Sequence, residues 1–96
     1  MQDYINKYLA HIEHNRHYSS QTLRAYRNDL HQYLSFLIAE ECHDLGNVTR
    51  LFLRGFLAFL KRQDYSKTTI ARKVVSVRSL YKYLCREGIL KCNPLE

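Results

Sequence analysis

The sequence is poor in residues that interrupt regular secondary structure. It has one proline, Pro94, and three glycines in 96 residues. It also lacks a clean alternation of apolar and polar residues, so the pattern argues against a β-rich fold and favours an all-helical one. A chain of this length forms one domain at most, with too little interior for a deep enclosed active site.

The sequence also offers little that would support disulfides or membrane insertion. The three cysteines, Cys42, Cys85 and Cys92, are odd in number and have no C-x-x-C spacing. This argues against a disulfide framework and favours a reducing compartment. The apolar stretches are far shorter than a membrane span, and the first four residues do not resemble a signal peptide. We therefore expect a cytoplasmic protein.

Acidic residues are scarce relative to basic ones. Asp and Glu number 9 and Lys and Arg number 15, which gives a formal net charge of +6. This balance favours an acidic partner, with nucleic acid first and an anionic membrane surface second. No acidic residue occurs between Ser66 and Arg86, whereas a generic solvated helix face would intersperse Glu and Asp.

Hydrophobic periodicity predicts four helices. They run from about Asp3 to His14, from about Ser20 to Glu41, from the cap Thr49 to about Gln63, and from about Ser66 to Glu87. The third is apolar around much of its circumference, so we expect it to be the most buried. Gly55 inside it suggests a close approach of another helix, and Gly88 is the expected stop of the fourth helix.

One phrase occurs twice in the chain. Residues 18–23 read Y-S-S-Q-T-L and residues 65–70 read Y-S-K-T-T-I. Each copy predicts a helix start, with a Ser cap, polar side chains in the first turn and cations soon after. Free N–H groups at a helix start, together with nearby Arg, bind phosphate. The phrase alone is equally compatible with two well-capped helices that have solvated charged faces.

Helical angles place cations and hydroxyls on outward arcs of the second and fourth helices, away from the apolar stripes. The candidate DNA contacts are Ser19, Ser20, Gln21, Thr22, Arg24 and Arg27 on the second helix, and Ser66, Lys67, Thr68, Thr69, Arg72, Lys73, Ser76, Arg78 and Lys82 on the fourth. Arg72, Ser76 and Arg78 lie midway along the fourth helix and are predicted at base edges or in the groove. The candidates near the helix starts are predicted to hold the phosphate backbone.

Catalytic and metal-binding patterns are weak. His11, His14 and His17 recur every third residue, but no cysteine or carboxylate cluster completes a metal site, so solvated or phosphate-facing histidines are favoured. The sequence has no Gly-rich phosphate loop, no H-E-x-x-H and no plausible triad. We expect no catalysis by this chain alone, no cofactor and no small-molecule substrate.

The order of the helix motifs carries a resemblance that covers nearly the whole chain. The second helix presents Ser19, Thr22, Tyr26, Asp29 and Leu30; the fourth presents Ser66, Thr69, Ile70, Arg72, Ser76, Arg78, Tyr83 and Leu84, followed by Gly88, Asn93 and Pro94. This pattern resembles the N-terminal core-binding domain of tyrosine recombinases, the phage-integrase and Xer-like family. Gly55 departs from the family pattern, since the third helix is usually glycine-free.

The resemblance implies an all-α, four-helix SAM-like orthogonal bundle. It implies a core-binding domain over residues 1–90 and the start of a linker to a catalytic domain over residues 91–96. In this family the two domains clamp double-stranded DNA, and the catalytic domain supplies the tyrosine that forms a 3′-phosphotyrosine link. The implied partners are duplex DNA and other recombinase protomers in a synaptic complex, with no membrane.

Two other functions remain open at this point. SAM-like helical bundles also serve as protein–protein interaction modules, and a fold does not fix a function. A peripheral membrane domain is less favoured, because the cations share a face with Ser and Thr and do not flank exposed apolar residues.

Overall fold

The computed structural model describes residues 1–15 and 17–95, which form four α-helices. The helices are α1 (Gln2–Glu13), α2 (Ser20–Ala39), α3 (Arg50–Arg62) and α4 (Lys67–Arg86), with a 3-10 turn at Leu45–Asn47. The described ranges contain no strand, so the all-α, four-helix prediction is confirmed. Glu96, the last residue of the predicted linker, lies outside the described residues.

The second helix ends two residues earlier than its periodicity predicts, because the backbone enters the left-handed region at Glu41, where φ is 61°. The Cys42 N–H donates to the Leu37 carbonyl at 2.8 Å, and the Glu41 N–H donates to the Ile38 carbonyl at 3.0 Å. These paired bonds form a Schellman ending. The fourth helix ends with the same motif at Gly88, where φ is 74°, as the sequence predicts.

The most buried helix is α4, which packs against each of the other three. In contrast, the buried residues of α3 are Leu53, Phe56 and Leu60, and Leu51 on the same helix is 75% exposed. The prediction that the third helix is the most buried is therefore wrong. This helix contacts only α2 and α4, so part of its apolar circumference faces outward.

The glycine inside α3 lies against α2. A Cβ atom added at Gly55 would lie 3.4 Å from Cζ of Phe36, which is close to ordinary van der Waals contact. The neighbour is the far end of a side chain, and Gly55 and Phe36 also line a groove between the two helices, so the expected close approach of another helix at Gly55 is not observed. The contact itself does not demand a glycine.

The segment after α4 folds back along the domain. Ile89, Leu90 and Leu95 are partly buried and pack against the core. A Cβ atom added at Gly46 would lie 3.3 Å from a methyl group of Leu90, so this segment passes close to the 3-10 turn. The segment after α4 therefore contacts the connection between α2 and α3 at this turn.

Two buried tyrosines connect α2, α4 and the 3-10 turn. The Tyr81 hydroxyl donates to the Leu45 carbonyl at 3.1 Å and lies 2.9 Å from the Tyr33 hydroxyl. Because a phenol carries a single hydroxyl hydrogen, Tyr33 must donate to Tyr81. Burial raises the pKa of both tyrosines above the ordinary value, so this chain of hydrogen bonds stays neutral and keeps its direction.

We expect Tyr81→Phe to lower the free energy of unfolding by about 1–3 kcal/mol, because it leaves the Leu45 carbonyl and the Tyr33 hydroxyl without a partner. Tyr33→Phe removes only the terminal donor and should cost less, about 1 kcal/mol. Urea unfolding of both variants measures the difference. Equal losses for the two variants would contradict the assigned direction of the hydrogen bonds.

Candidate nucleic-acid interface

The repeated phrase forms two matching helix caps. The Ser19 hydroxyl accepts from the Thr22 N–H at 3.1 Å, and the Ser66 hydroxyl accepts from the Thr69 N–H at 3.2 Å. The hydroxyls within each Ser–Thr pair also lie within hydrogen-bond distance of each other. The predicted helix starts are confirmed, and neither α2 nor α4 has an acidic residue in its first turn. Both ends therefore keep the positive potential of a helix start.

A buried carboxylate on α2 receives three side chains from α4. Asp29 is fully buried, and Arg72 bridges both of its oxygens, with Nε 3.0 Å from Oδ2 and Nη2 2.9 Å from Oδ1. Lys73 Nζ lies 3.0 Å from Oδ1, and the Ser76 hydroxyl donates to Oδ2 at 3.0 Å. The cluster joins the middle of α2 to the first half of α4.

This Asp29 cluster holds two cations against one carboxylate, so it carries excess positive charge. The Lys73 side chain is 7% exposed, and its ammonium lies 4.8 Å from the centre of the Tyr65 ring, within cation–π range. Burial alone would raise the pKa of Asp29, but the hydrogen bonds from Arg72, Lys73 and Ser76 outweigh it and hold that pKa below its ordinary value. Asp29 is therefore ionised at neutral pH.

The structure places Ser76 and Lys73 in the interior. Ser76 is fully buried, Lys73 is 6% exposed, and both side chains point to Asp29. This corrects the expectation that Ser76 contacts base edges and that Lys73 contacts DNA. Helical angles place Ser76 on the outer arc of α4, but α2 covers this side of the helix with the Asp29 carboxylate.

Arg72 keeps an outward edge. Its side chain is 42% exposed, and the bridge to Asp29 uses Nε–H and one N–H of Nη2. A guanidinium has five N–H donors, so Nη1 and the second N–H of Nη2 stay available. These two nitrogens form the end-on fork that fits the O6 and N7 acceptors of guanine.

The remaining α2 candidates lie on one side of that helix. Ser20, Gln21, Arg24 and Arg27 are exposed. Three of them, Ser20, Arg24 and Arg27, line a groove between α1 and α2 that also contains Glu13. One carboxylate therefore lies among the α2 cations.

The remaining α4 candidates spread around the exposed face of that helix. Lys67, Thr68, Arg78 and Lys82 are exposed. Lys67 and Arg78 line a groove between α3 and α4, whereas Lys82 borders a pocket between α1 and α4. The predicted contacts thus form several separate cationic sites along α2 and α4, and the Asp29 cluster with its excess positive charge lies between the two helices.

Sequence reasoning recognised Asp29 as part of a family motif and missed its role as the buried partner of Arg72. A signal for this role was present. Asp29 follows Tyr26 by three residues and precedes Tyr33 by four, so it occupies the core-facing spacing of α2. An acid at such a position needs buried cationic or hydroxyl partners.

The part of the chain that the structure describes shows neither a metal-binding cluster nor a membrane-spanning helix. No group of His, Cys, Asp and Glu residues there could hold a metal ion. No helix in the same residues is both long and apolar enough to cross a membrane.

Comparison with known proteins gives a consistent result. A family model for the phage integrase N-terminal SAM-like domain matches residues 5–88. Tyrosine recombinase XerC of Thermodesulfovibrio yellowstonii is 41% identical over 93 residues, which cover 97% of this chain and 30% of that protein. XerC of Herpetosiphon aurantiacus is 34% identical over 96 residues, 100% of this chain and 31% of the relative. No solved structure was found to match.

The XerC of Listeria innocua is 39% identical over 88 residues, which cover 92% of this chain and 29% of that relative. The chain therefore spans about a third or less of the length of these curated relatives.

We expect Asp29→Asn to destabilise the fold by about 3 kcal/mol, because Lys73 would stay buried without its carboxylate. The folded pKa of Asp29 lies below its unfolded value, so its stabilisation is present above the unfolded pKa and is lost as the pH falls through the folded pKa. Denaturant unfolding between pH 7 and pH 2 should show this acid loss in the wild type and a weaker one in Asp29→Asn. The exposed Asp3→Asn serves as the control. An unchanged acid profile in Asp29→Asn would contradict the assignment.

Proposed function

Because this chain belongs to the phage integrase N-terminal SAM-like domain family, we propose that it is the DNA-binding, core-binding domain of a site-specific tyrosine recombinase. The observation that carries the proposal is the exposed face of α4. It bears Lys67, Arg72, Arg78, Lys82 and Arg86, and the helix has no acidic residue along its 20 positions. Such a face matches the phosphates that line a DNA groove.

The helix starts supply the phosphate-binding part of the proposal. The caps at Ser19 and Ser66 use hydroxyls and leave the first turns free of carboxylates. The candidates that hold the DNA backbone lie near the helix starts and are Ser20, Thr22, Arg24, Arg27, Lys67 and Thr68, with Gln21 and Thr69 as further DNA contacts. Phosphate contacts of this kind position a protein on DNA without reading its sequence.

Arg72 and Arg78 are the proposed base-edge residues. Arg72 presents the free end of its guanidinium while Asp29 holds the other edge. A planar fork that is already oriented loses little side-chain entropy when it pairs with a guanine. The groove contact would thus come from a side chain whose position is set inside the protein.

The strand cleavage of the whole protein would use residues outside this chain. Residues 1–90 form the proposed core-binding domain and residues 91–96 the start of a linker to a catalytic domain. Burial raises the pKa of Tyr8, Tyr33 and Tyr81, so these hydroxyls are poorly suited to act as nucleophiles at neutral pH. The proposed partners are duplex DNA and further protomers of the full-length recombinase.

A protein-interaction module is the second candidate function. The observation that favours it is an apolar groove of about 370 Å³ between α2 and α3, lined by Phe36, Leu51, Phe52 and Ala58 among others. Homotypic association that is insensitive to salt and independent of DNA would support this function. Duplex binding that weakens with salt would support the first.

We expect the chain to bind duplex DNA with an affinity that falls steeply with salt. If it neutralises about five phosphates, log K should fall against log salt with a slope of roughly −4 to −5. Lys67→Gln and Arg24→Gln should each reduce the slope by about 1 for every duplex sequence. Arg54→Gln removes the same charge from the exposed side of α3 and should leave the slope near that of the wild type. Salt-independent binding would overturn the proposal.

We expect Arg72→Ala to lower both the stability of the fold and the recognition of DNA sequence, because the same guanidinium pairs with Asp29 and is proposed to contact a base in the groove. Affinity for the cognate site in the full-length protein should fall by about 1–3 kcal/mol, with a flatter preference over other sequences. Arg72→Lys keeps the charge but loses the fork, so it should bind DNA without the sequence preference. Paired measurements of melting temperature and DNA affinity check this. A lower melting temperature with unchanged cognate affinity would limit Arg72 to a structural role.

A further inference from the structure

A pocket of about 230 Å³ lies between α1 and the second half of α4. Its polar lining residues include His11, Asn15, Tyr18, Lys82 and Arg86, and among the residues that the structure describes no Asp or Glu lines it. A water molecule takes up roughly 30 Å³ in the liquid, so the pocket can hold a group larger than water. We call it the α1–α4 pocket.

Arg86 contacts the Tyr83 ring and the His11 imidazole in this pocket, and it pairs with no carboxylate among the described residues. Its guanidinium lies 5.9 Å from the centre of the Tyr83 ring, and its Nη2 is 3.3 Å from Nε2 of His11. The His11 ring also packs on Tyr83, with ring centres 4.8 Å apart. Tyr83 is 4% exposed, so it forms a fixed platform that orients both side chains toward the pocket.

The charges of this pocket are not balanced by the chain itself. Among residues 1–15 and 17–95, the ion pairs are both made by Asp29, with Arg72 and Lys73. Lys82 lies one helical turn from Arg86 and borders the same space. Asn15 accepts from the His17 N–H through its Oδ1, which leaves its NH₂ group as a donor. The pocket therefore offers donors and positive charge to an anion.

The position of the pocket along α4 indicates which anion. Arg86 lies 14 residues after Arg72, or about 21 Å along the axis, and within about 40° of it around the helix. The major groove of B-DNA is only about 12 Å wide. A helix that places Arg72 in the groove would therefore carry Arg86 past the groove edge, where the backbone phosphates lie.

We propose that the α1–α4 pocket binds one backbone phosphate of the duplex, through Arg86, Lys82 and His11. This inference rests on the proposed DNA-binding function and adds α1 to the contact surface. It makes α4 hold the backbone at its far end as well as at its start. The contact carries no sequence preference, because phosphates are the same at every site.

The test measures duplex binding of Arg86→Gln and Lys82→Gln across a series of salt concentrations. Each variant should bind about threefold to tenfold more weakly at low salt, with a salt slope smaller by about 1 on every duplex sequence. Arg54→Gln, which removes an equal charge from α3, should show neither effect. Both pocket positions are exposed, so an unchanged melting temperature confirms that folding is intact.

A second measurement follows the His11 ring and the Arg86 Nε–H by NMR during titration with duplex and, separately, with inorganic phosphate. We expect both resonances to shift with duplex. Shifts with inorganic phosphate alone, together with unchanged duplex binding by Arg86→Gln, would show an adventitious ion only and overturn the inference.

The two proposals can fail separately. If Lys67→Gln weakens duplex binding and Arg86→Gln behaves as Arg54→Gln does, the pocket assignment is wrong and the DNA-binding function stands. If the wild-type chain, and the full-length protein that contains it, bind no duplex, both are wrong.

Discussion

The structure depends on the hydrogen bonds and ion pairs that the buried carboxylate of Asp29 receives. Asp29 has no contact with solvent, so its charge is stable only while Arg72, Lys73 and Ser76 donate to it. These partners all come from one stretch of α4, and they fix where that helix crosses α2. The caps lie ten residues before Asp29 on α2 and six before Arg72 on α4, about 15 Å and 9 Å along the axes. The carboxylate thereby sets the spacing between the two helix starts.

The elements of the fold were predictable because the information that defines them is local. Ser19 and Ser66 cap their helices through bonds that reach only three residues, and Gly88 ends α4 through its own backbone conformation. Which side of a helix becomes interior is decided by its neighbours. The spacing within α4 predicts an outward-facing Ser76, but Asp29 of α2 packs over it and Ser76 is buried. The apolar α3 packs against too few helices to bury Leu51.

The candidate site shows the same division between local and non-local information. The cations could be recognised from sequence, since net charge and the missing acids of α4 do not depend on packing. Which cations lie together in one groove or pocket could not be predicted from the sequence, because it depends on which helices lie on either side of α4. The platform under Arg86 joins positions 11 and 83, a separation over which periodicity within one helix carries no information.

The two Schellman endings differ in their backbone strain. Glu41 adopts a left-handed conformation that carries a steric cost of roughly 1–2 kcal/mol for a residue with a side chain, whereas Gly88 adopts it without that cost. Local opening should therefore begin at the end of α2 before it reaches the end of α4. In native-state hydrogen exchange the Cys42 amide would then exchange faster than the Ile89 amide, although the two make equivalent bonds of 2.8 and 2.9 Å. Of these two helix ends, the one that leads into the loop between α2 and α3 is therefore expected to open first.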